Sequence, residues 1–417
     1  MLIKTVLNRV HPVKGFVVGK VEFADEVAEP LLKVRIRPRK GSQPWCSGCL
    51  RRGATYDHLP ERLFEFVPLW AIPVYFLYAM RRVNCRHCGV TVEAVPWALG
   101  KRRTTRAYAV FLARWARRLS WSEVAEVFHT TWENVYCSVK WVVDYGLEHR
   151  DLSGITALGI DEVQFRKGHQ YLTLVYQIDA GCRRLLWIGK DRTAKTLLRF
   201  FKMFGRQRTA RIRFVCSDMW RAYLKVIAKK AGHALHILDR YHIVANLNKA
   251  VDKVRAGESR RMKQDGYEPI LKHTRWCFLK REENLSDKQR LRLQDVLRYD
   301  LKTVRAYLLK ESFQGLWAYV SPSWAGWFLD RWVARAMRSR LNPVKRFACS
   351  VREHRELILN WFRAKKQFSC GIVEGLNYNV KLTIRKAFGF SNLEYAETAL
   401  YHTLGQLPEP QLTHRFC

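Results

Sequence analysis

The sequence is short of acidic residues for its size. Its 417 residues include 37 Asp and Glu against 74 Lys and Arg, which gives a formal net charge of +37. Such an excess surrounds a protein with a positive field, and the usual partner of that field is a polyanion. The scarcity of acids therefore favours a protein that acts on nucleic acid, although a basic protein that merely adheres to nucleic acid has the same composition.

Long hydrophobic runs are also missing. The most apolar stretch, residues 67–80, is too short to cross a bilayer and contains Pro73. We interpret this stretch as a buried strand. The first residues also lack the hydrophobic segment of a signal peptide. We therefore expect a cytoplasmic protein with no membrane partner.

A disulfide framework is the third missing feature, because the eleven cysteines are odd in number and mostly scattered. Four of them form two C-x-x-C pairs, Cys46 with Cys49 and Cys85 with Cys88. This spacing lets both thiolates of a pair reach one tetrahedral ion. The 35 residues between the pairs have room for two strands, as in a zinc ribbon. We predict one structural Zn²⁺; unligated buried cysteines or a redox pair are the alternatives.

Changes of pattern, without repeats or low-complexity linkers, divide the chain into parts. We predict a multidomain α/β protein in which strands at 16–23, 31–37, 63–66 and 74–82 belong to the N-terminal part. The predicted parts are a β-rich zinc ribbon (1–100), a helix-turn-helix domain (101–150), the first part of a catalytic core (151–255), an α-helical insertion domain (256–366), and the last part of the core with a C-terminal tail (367–417).

The core has a recognisable order of elements. Three strands, at 156–165, 170–179 and 184–190, precede two helix–strand units whose strands lie at 211–218 and 234–239. Helix–strand crossovers imply that the last two strands run parallel to a neighbour. Three meandering strands followed by such units are the order of an RNase H-like mixed sheet.

Two short helices in the second part resemble a DNA-binding hairpin. Residues 120–123 and 130–133 each have the pattern of a capping box, which begins a helix. His129 stands in the turn, where glycine is common, and histidine tolerates left-handed backbone better than most residues. Helical hairpins also occur in cores, but a helix-turn-helix would place its second helix in the major groove. The predicted DNA-facing residues are Trp132, Tyr136 and Lys140.

Three acidic residues are candidates for a catalytic metal site. Cleavage and transfer of phosphodiesters use divalent ions, and hard ions prefer carboxylate oxygens. Asp161 lies in the middle of the first core strand and Asp218 ends the fourth, so the carboxylates meet if those strands are parallel neighbours. Glu374 begins the last helix, which can return against the sheet. The alternative is that these acids are solvated strand ends or salt-bridge partners.

Other polar residues near these positions have different expected places. Glu162 points to the opposite face of the strand, and Asp179 lies opposite Thr156, ~16 Å from Asp161 at ~3.3 Å per residue. Asp239 ends the fifth strand and is expected near the site without binding the ion. Three residues share nearly one helix face with Glu374 and are predicted to contact phosphates. They are Asn377, Lys381 and Arg385.

Four motifs, in the same order, resemble those of bacterial insertion-sequence transposases of the DDE class, in particular the ISL-three family. They are Asp161-Glu-Val, Ser217-Asp-Met-Trp-Arg-Ala-Tyr223, Asp239-Arg-Tyr-His242 and Glu374-Gly-Leu-Asn377. The 155 residues between Asp218 and Glu374 match that family's helical insertion. Small departures, Tyr241 for a commoner Phe and Tyr378-Asn379 for a usual Asn-Lys, leave the three acids intact.

The resemblance implies a function and a set of partners. The catalytic metal ligands would be Asp161, Asp218 and Glu374, holding two Mg²⁺ or Mn²⁺ ions, with Asp239 and His242 beside them. The protein would bind double-stranded DNA at the terminal inverted repeats and at the target, as a homodimer or larger oligomer in the bacterial nucleoid. It would cleave at the element end and join the freed 3′-hydroxyl to target DNA. A non-enzymatic DNA-binding regulator derived from a transposase and an RNA-processing nuclease are the competing hypotheses.

Overall fold

The computed structural model describes residues 3–24, 30–98, 100–166, 168, 170–267, 270–367 and 371–412. Packing divides the chain into two compact units: unit 1 contains residues 1–151 and 380–417, and unit 2 contains residues 152–379. The structure thus groups residues from 380 onward with the N-terminal part, whereas we had predicted that 367–417 complete the core. Within the described ranges, no helix combines the length and apolarity that crossing a membrane requires.

Unit 1 begins with a short helix and a five-stranded sheet. The strands follow the order β1-β2-β4-β3, and β5 pairs with β4. Every second residue of β2 is buried, which leaves Lys33, Arg35 and Arg37 on the other face. The elements are α1 (Ile3–Val10), β1 (Phe16–Ala24), β2 (Leu31–Pro38), β3 (Ala54–Leu69), β4 (Ile72–Cys85) and β5 (Gly89–Val92).

The apolar stretch 67–80 is not one strand, and that prediction was wrong. The chain reverses at Trp70 and Ala71, which have left-handed φ angles of 50° and 64°. The stretch therefore supplies the end of β3 and the start of β4, which pair antiparallel. Neither turn residue is a glycine or asparagine, so the sequence carries no ordinary signal for this turn.

Five helices complete unit 1. They are α2 (Arg106–Ala116), α3 (Trp121–Val127), α4 (Trp132–His149), the second half of α15 (Gly371–Lys386) and α16 (Leu393–Leu404). The capping box of Ser120 and Glu123 begins α3, as predicted. Thr131, rather than the predicted Thr130, caps α4, and His129 adopts a φ of 48° in the intervening turn.

Unit 2 contains a second five-stranded sheet with the order β10-β9-β6-β7-β8. The first three strands pair antiparallel, while β9 runs parallel to both β6 and β10, which confirms that the last two strands run parallel to a neighbour. The elements are β6 (Ala157–Arg166), β7 (Gln170–Asp179), β8 (Cys182–Lys190), α5 (Ala194–Phe204), α6 (Arg206–Thr209), β9 (Phe214–Ser217), α7 (Arg221–Ala231), β10 (Leu235–Leu238) and α8 (Arg240–Gln264).

The segment after β10 is helical, as predicted, and packs against the sheet. Its hydrophobic core continues from Leu238 on β10 to Trp332, and Asn360 Nδ2 donates to the backbone oxygen of His236 at 2.7 Å. The helices are α9 (Arg275–Leu279), α10 (Asp287–Leu297), α11 (Lys302–Gln314), α12 (Pro322–Arg338), α13 (Asn342–Glu353) and α14 (Arg355–Arg363). The first half of α15 returns to the sheet.

Gly159 on β6 allows that return. A methyl group at Gly159 would lie 2.7 Å from Val373 Cγ2 on α15 and 3.1 Å from Ile178 Cγ2 on β7. Distances this short are not tolerated between carbon atoms, so the helix can pack this closely only because position 159 has no side chain. The start of α15 is thereby held against the strand that carries Asp161.

We predict that Gly159→Ala lowers the free energy of unfolding by about 1–3 kcal/mol, because overpacking forces α15 away from β6. Thermal unfolding measures the effect. Adding Val373→Ala should restore part of the loss. Gly181→Ala is the control, since no atom lies within 4 Å of a methyl group there. Equal melting temperatures for wild type and Gly159→Ala would contradict the packing argument.

Candidate active site and metal centre

The register of two parallel strands brings two predicted ligands together. Ile160 on β6 pairs with Ser217 on β9. Asp161, in the middle of β6, and Asp218, directly after the carboxyl end of β9, are the next residues along these two strands, so their carboxylates lie close together. This is the approach that the parallel arrangement was expected to produce. Asp161 is only 8% exposed.

Hydrogen bonds fix the Asp161 carboxylate. Its Oδ1 accepts from the backbone N–H of Glu162 at 2.8 Å, and its Oδ2 accepts from Asn377 Nδ2 at 2.5 Å. The Tyr176 hydroxyl donates to Asn377 Oδ1 at 2.7 Å. Tyr176 on β7 thus orients Asn377 on α15, which orients Asp161 on β6.

This geometry changes the role of Asn377. We had predicted that Asn377 contacts phosphates, but its side chain is buried and both of its amide atoms are engaged with Tyr176 and Asp161. It faces the sheet because α15 packs so closely on β6. Lys381 and Arg385 on the same helix are exposed, as a phosphate contact requires.

Asp218 is oriented by the loop that follows β9. Its Oδ1 accepts from the backbone N–H of Trp220 at 2.9 Å, and the Ser217 hydroxyl donates to its backbone oxygen at 2.9 Å. Burial raises the pKa of Asp218, the negative charge of Asp239 adds to the effect, and Arg192 opposes it. The carboxylate is therefore held in place at an electrostatic cost.

Asp161 experiences the same conditions. Burial raises the pKa of Asp161 to about 6; the charges of Asp218 and Asp239 add to the rise, while His242 counteracts it. Asp239 caps α8 by accepting from the Tyr241 N–H at 2.7 Å, and its Oδ2 lies 4.0 Å from His242 Nε2. Asp239 and His242 thus lie near the paired aspartates, and the cluster has an excess of buried negative charge that a divalent cation would neutralise.

Glu162 and Arg192 flank the aspartates. Burial, together with the charges of Asp218 and Asp161, raises the pKa of Glu162 to about 7. Arg192 Nη1 lies 3.4 Å from Glu162 Oε1, and its guanidinium stacks on Tyr171. The alternation of residues along a strand does not identify Glu162 and Arg192 as neighbours, because it predicts only the face of the sheet on which a side chain lies. Arg192 follows β8, and it comes close to Glu162 on β6 only because β6, β7 and β8 are consecutive neighbours in the sheet.

Glu374 has a different environment from the two aspartates. It lies in the first turn of α15, three residues before Asn377, and is exposed. Residues three apart in a helix are neighbours on its surface. The helix is thus docked at Asp161 through Asn377, but the participation of Glu374 in the site stays a prediction. Asp179, which we had placed away from the site, accepts from the Thr156 hydroxyl at 2.5 Å, as expected from the hairpin register.

The predicted DNA-facing stripe of α4 is covered in unit 1. The Tyr395 ring on α16 lies 5.1 Å from Trp132 and 4.5 Å from Tyr136, between ring centroids. Lys140 Nζ lies 3.1 Å from Glu394 Oε1. The assignment of these three residues to DNA therefore needs correction: Tyr136 is buried, Trp132 and Lys140 are partly buried, and all three contact a helix more than 250 residues later in the chain.

The four paired cysteines converge. Their Sγ atoms all lie within 4.8 Å of one another, and Cys49 Sγ is 3.5 Å from Cys85 Sγ. A tetrahedral Zn²⁺ with bonds of ~2.3 Å requires sulfurs roughly 3.8 Å apart. Hydrogen bonding to the neighbouring thiols Cys49 and Cys46 raises the pKa of Cys88 to about 12. The set of donors and their spacing fit a closed zinc site.

Both the fold of unit 2 and its paired aspartates agree with the class of DDE transposases. A family profile described as transposase, specific to the ISL3 family of that class, matches residues 158–400. The chain belongs to the ISL3 family of DDE transposases, as the four motifs indicated. The matched range contains Asp161, Asp218 and Glu374.

Two relatives extend the similarity beyond the matched range. The chain is 27% identical over 398 residues to the transposase for insertion sequence element IS1001 of Bordetella parapertussis, covering 95% of this chain and 97% of that protein. It is 29% identical over 403 residues to the transposase for insertion sequence element IS1557 of Mycobacterium tuberculosis, covering 90% of each. The similarity therefore includes most of unit 1.

We predict that Cys46→Ser removes the bound zinc and unfolds the part of the sheet around β5, because a buried thiolate ligand is lost. Zinc content per chain and limited proteolysis of unit 1 measure this. Cys349→Ser is the control, since Cys349 is exposed, belongs to unit 2 and is not one of the four clustered cysteines. Full zinc content in Cys46→Ser would remove this residue from the site.

Proposed function

We propose that this transposase binds the terminal inverted repeats of its insertion sequence and catalyses metal-dependent DNA cleavage and strand transfer. The observation that supports this most is the register of β6 and β9, which sets Asp161 and Asp218 side by side in a buried, negatively charged cluster. Oriented carboxylates with raised pKa values are typical of functional sites. A purely DNA-binding protein has no need to stabilise them.

Asp161, Asp218 and Glu374 would hold two Mg²⁺ or Mn²⁺ ions, which when bound activate the attacking oxygen and stabilise the leaving one. The chain supplies the positioning. Asn377 holds one oxygen of Asp161, and the Trp220 N–H holds one oxygen of Asp218. Glu374 would reach the ions by turning its side chain from the exposed face of α15 toward Asn377, which lies one helical turn further along.

The DNA would bind to basic surfaces. Exposed Lys381 and Arg385 follow Glu374 on α15 and suit phosphate contacts. The net charge of +37 adds a general attraction. We assign recognition of the repeats to the zinc-containing sheet and the helices α2–α4, but not to the covered stripe of α4. Two ends must be held together for transfer, so a homodimer or larger oligomer on DNA is expected.

Asp161→Asn and Asp218→Asn should each abolish nicking and joining of labelled element ends in Mg²⁺ or Mn²⁺. Loss of metal activation worth several kcal/mol corresponds to roughly a 10³-fold fall in rate. Glu374→Gln should do the same. Asp179→Asn is the matched control, an aspartate of the same sheet bound to Thr156. End binding in a gel-shift assay should change little in any variant.

The outcomes separate the competing hypotheses. A wild-type protein that binds element ends without nicking or joining them would favour the regulator. Cleavage restricted to RNA or hybrid substrates would favour the nuclease. Retained cleavage by Glu374→Gln would leave the two aspartates in the site and remove the glutamate.

Divalent ions should also stabilise the wild-type fold. A ligand at 100 times its dissociation constant adds about 2.7 kcal/mol, which raises the melting temperature by several degrees. Asp161→Asn should lose most of this Mn²⁺-dependent shift, and Asp179→Asn should keep it. Equal shifts in all three proteins, measured by calorimetry, would place the ion elsewhere.

A further inference from the structure

A cavity of about 340 Å³ lies within unit 1, where the turn between α2 and α3 faces the end of α15 and the start of α16. Pockets that bind small ligands occupy ~300–1,000 Å³. The walls combine aromatic rings with basic and hydroxyl side chains. They include Arg117, Ser120, Trp121, Lys386, Phe390 and Tyr395.

Phe388 stands at the rim of this cavity and is 100% exposed. Its φ of 52° is left-handed, and Gly389 follows with a φ of 95°. The Phe388 N–H donates to Arg385 O at 2.9 Å and the Gly389 N–H donates to Ile384 O at 3.0 Å, so this residue ends α15 in the position where glycine is usual. A bulky residue here costs about 1–2 kcal/mol. Folding does not account for the choice of phenylalanine at position 388, because a fully exposed ring adds no packing and glycine would end the helix without strain.

The polar groups around the cavity favour an anionic ligand. Lys386 Nζ donates to Arg117 O at 3.4 Å, and Arg117 is itself paired with Glu409. Glu123 is the acid near Lys386, and it is engaged with the backbone N–H of Ser120. Burial lowers the pKa of Lys386, and an anionic partner at the cavity wall would favour its charged form.

His402 adds an unsatisfied group to the wall. Burial lowers the pKa of His402 to about 3, so its ring is neutral at pH 7. Its Nε2 has no hydrogen-bond partner among the described residues. A buried polar atom without a partner costs about 1–3 kcal/mol, which a ligand or water with a suitable polar edge would recover.

We propose that this cavity and Phe388 bind an unpaired nucleotide of DNA. The flat faces of a base suit stacking on Phe388 and on the aromatic walls, its polar edge suits the hydroxyl and imidazole groups, and its phosphate suits Lys386. The proposal rests on the proposed DNA-binding function, but it requires no cleavage. An apolar segment of a second chain would leave the cation and the imidazole without partners.

The test compares two DNA probes on the full-length protein, purified with its zinc and assayed without added Mg²⁺ or Mn²⁺. One is a duplex with a short single-stranded 3′ overhang that carries 2-aminopurine, and the other is the same duplex with blunt ends. Stacking quenches the fluorescence of 2-aminopurine. We expect the wild type to quench the overhang and to bind it more tightly than the blunt duplex.

Phe388→Asn should weaken overhang binding about 5-fold or more, since stacking on one aromatic ring is worth about 1–3 kcal/mol per base. The quenching should disappear and blunt-duplex affinity should stay unchanged. Asparagine tolerates left-handed backbone, so the melting temperature should not fall. Trp70→Asn is the matched control, because Trp70 is 83% exposed with a φ of 50° and does not line the cavity.

Equal quenching by wild type and Phe388→Asn would overturn the proposal, as would an equal loss in Trp70→Asn. A Phe388→Asn variant that binds the overhang normally but fails to self-associate in sedimentation would assign the cavity to a second chain instead. Because no Mg²⁺ or Mn²⁺ is added, failure of the cleavage assay does not affect this result. Conversely, unchanged overhang binding in Phe388→Asn leaves the cleavage mechanism standing.

Discussion

The hydrogen bond from the Asn377 amide to the Asp161 carboxylate is the interaction on which the site depends. It joins the first strand of the sheet to a helix 216 residues later. The bond requires the close approach that Gly159 permits, and it requires Tyr176 to set the orientation of the amide. Three separate segments, β6, β7 and α15, therefore together determine the orientation of the Asp161 carboxylate. The helix that carries Asn377 also carries Glu374, so the same contact determines the position of the Glu374 backbone.

The charge distribution has two levels. The chain as a whole is strongly basic, while the aspartates 161, 218 and 239 form a small negative cluster within it. Long-range attraction brings a polyanion to the surface, but it would not by itself place a phosphate beside three carboxylates. A divalent cation at the carboxylates would reconcile the two, because it would present positive charge to a phosphate.

Local sequence signals predicted more of the sheet than of its surroundings. The hairpin of β6 and β7 and the helix–strand repeats are local, so alternation and length were enough to place Asp161, Asp218 and Asp179. The environments of Asn377 and Trp132 could not be predicted this way. Each depends on a partner more than 200 residues away, Asp161 for one and Tyr395 for the other. The turn at Trp70 and Ala71 was not predicted for another reason, since neither residue is a usual turn former.

The packing of α16 against α4 also determines when unit 1 can finish folding. The aromatic cluster of Trp121, Trp132 and Tyr136 is closed by Tyr395, which emerges from the ribosome after the whole of unit 2. A nascent chain thus exposes these rings while its sheet of unit 2 is already complete. Contacts of such long sequence separation form slowly, and unit 2 has time to fold first. A chain released before residue 395 would carry a finished sheet in unit 2 and an open aromatic face in unit 1, a product prone to aggregation and proteolysis.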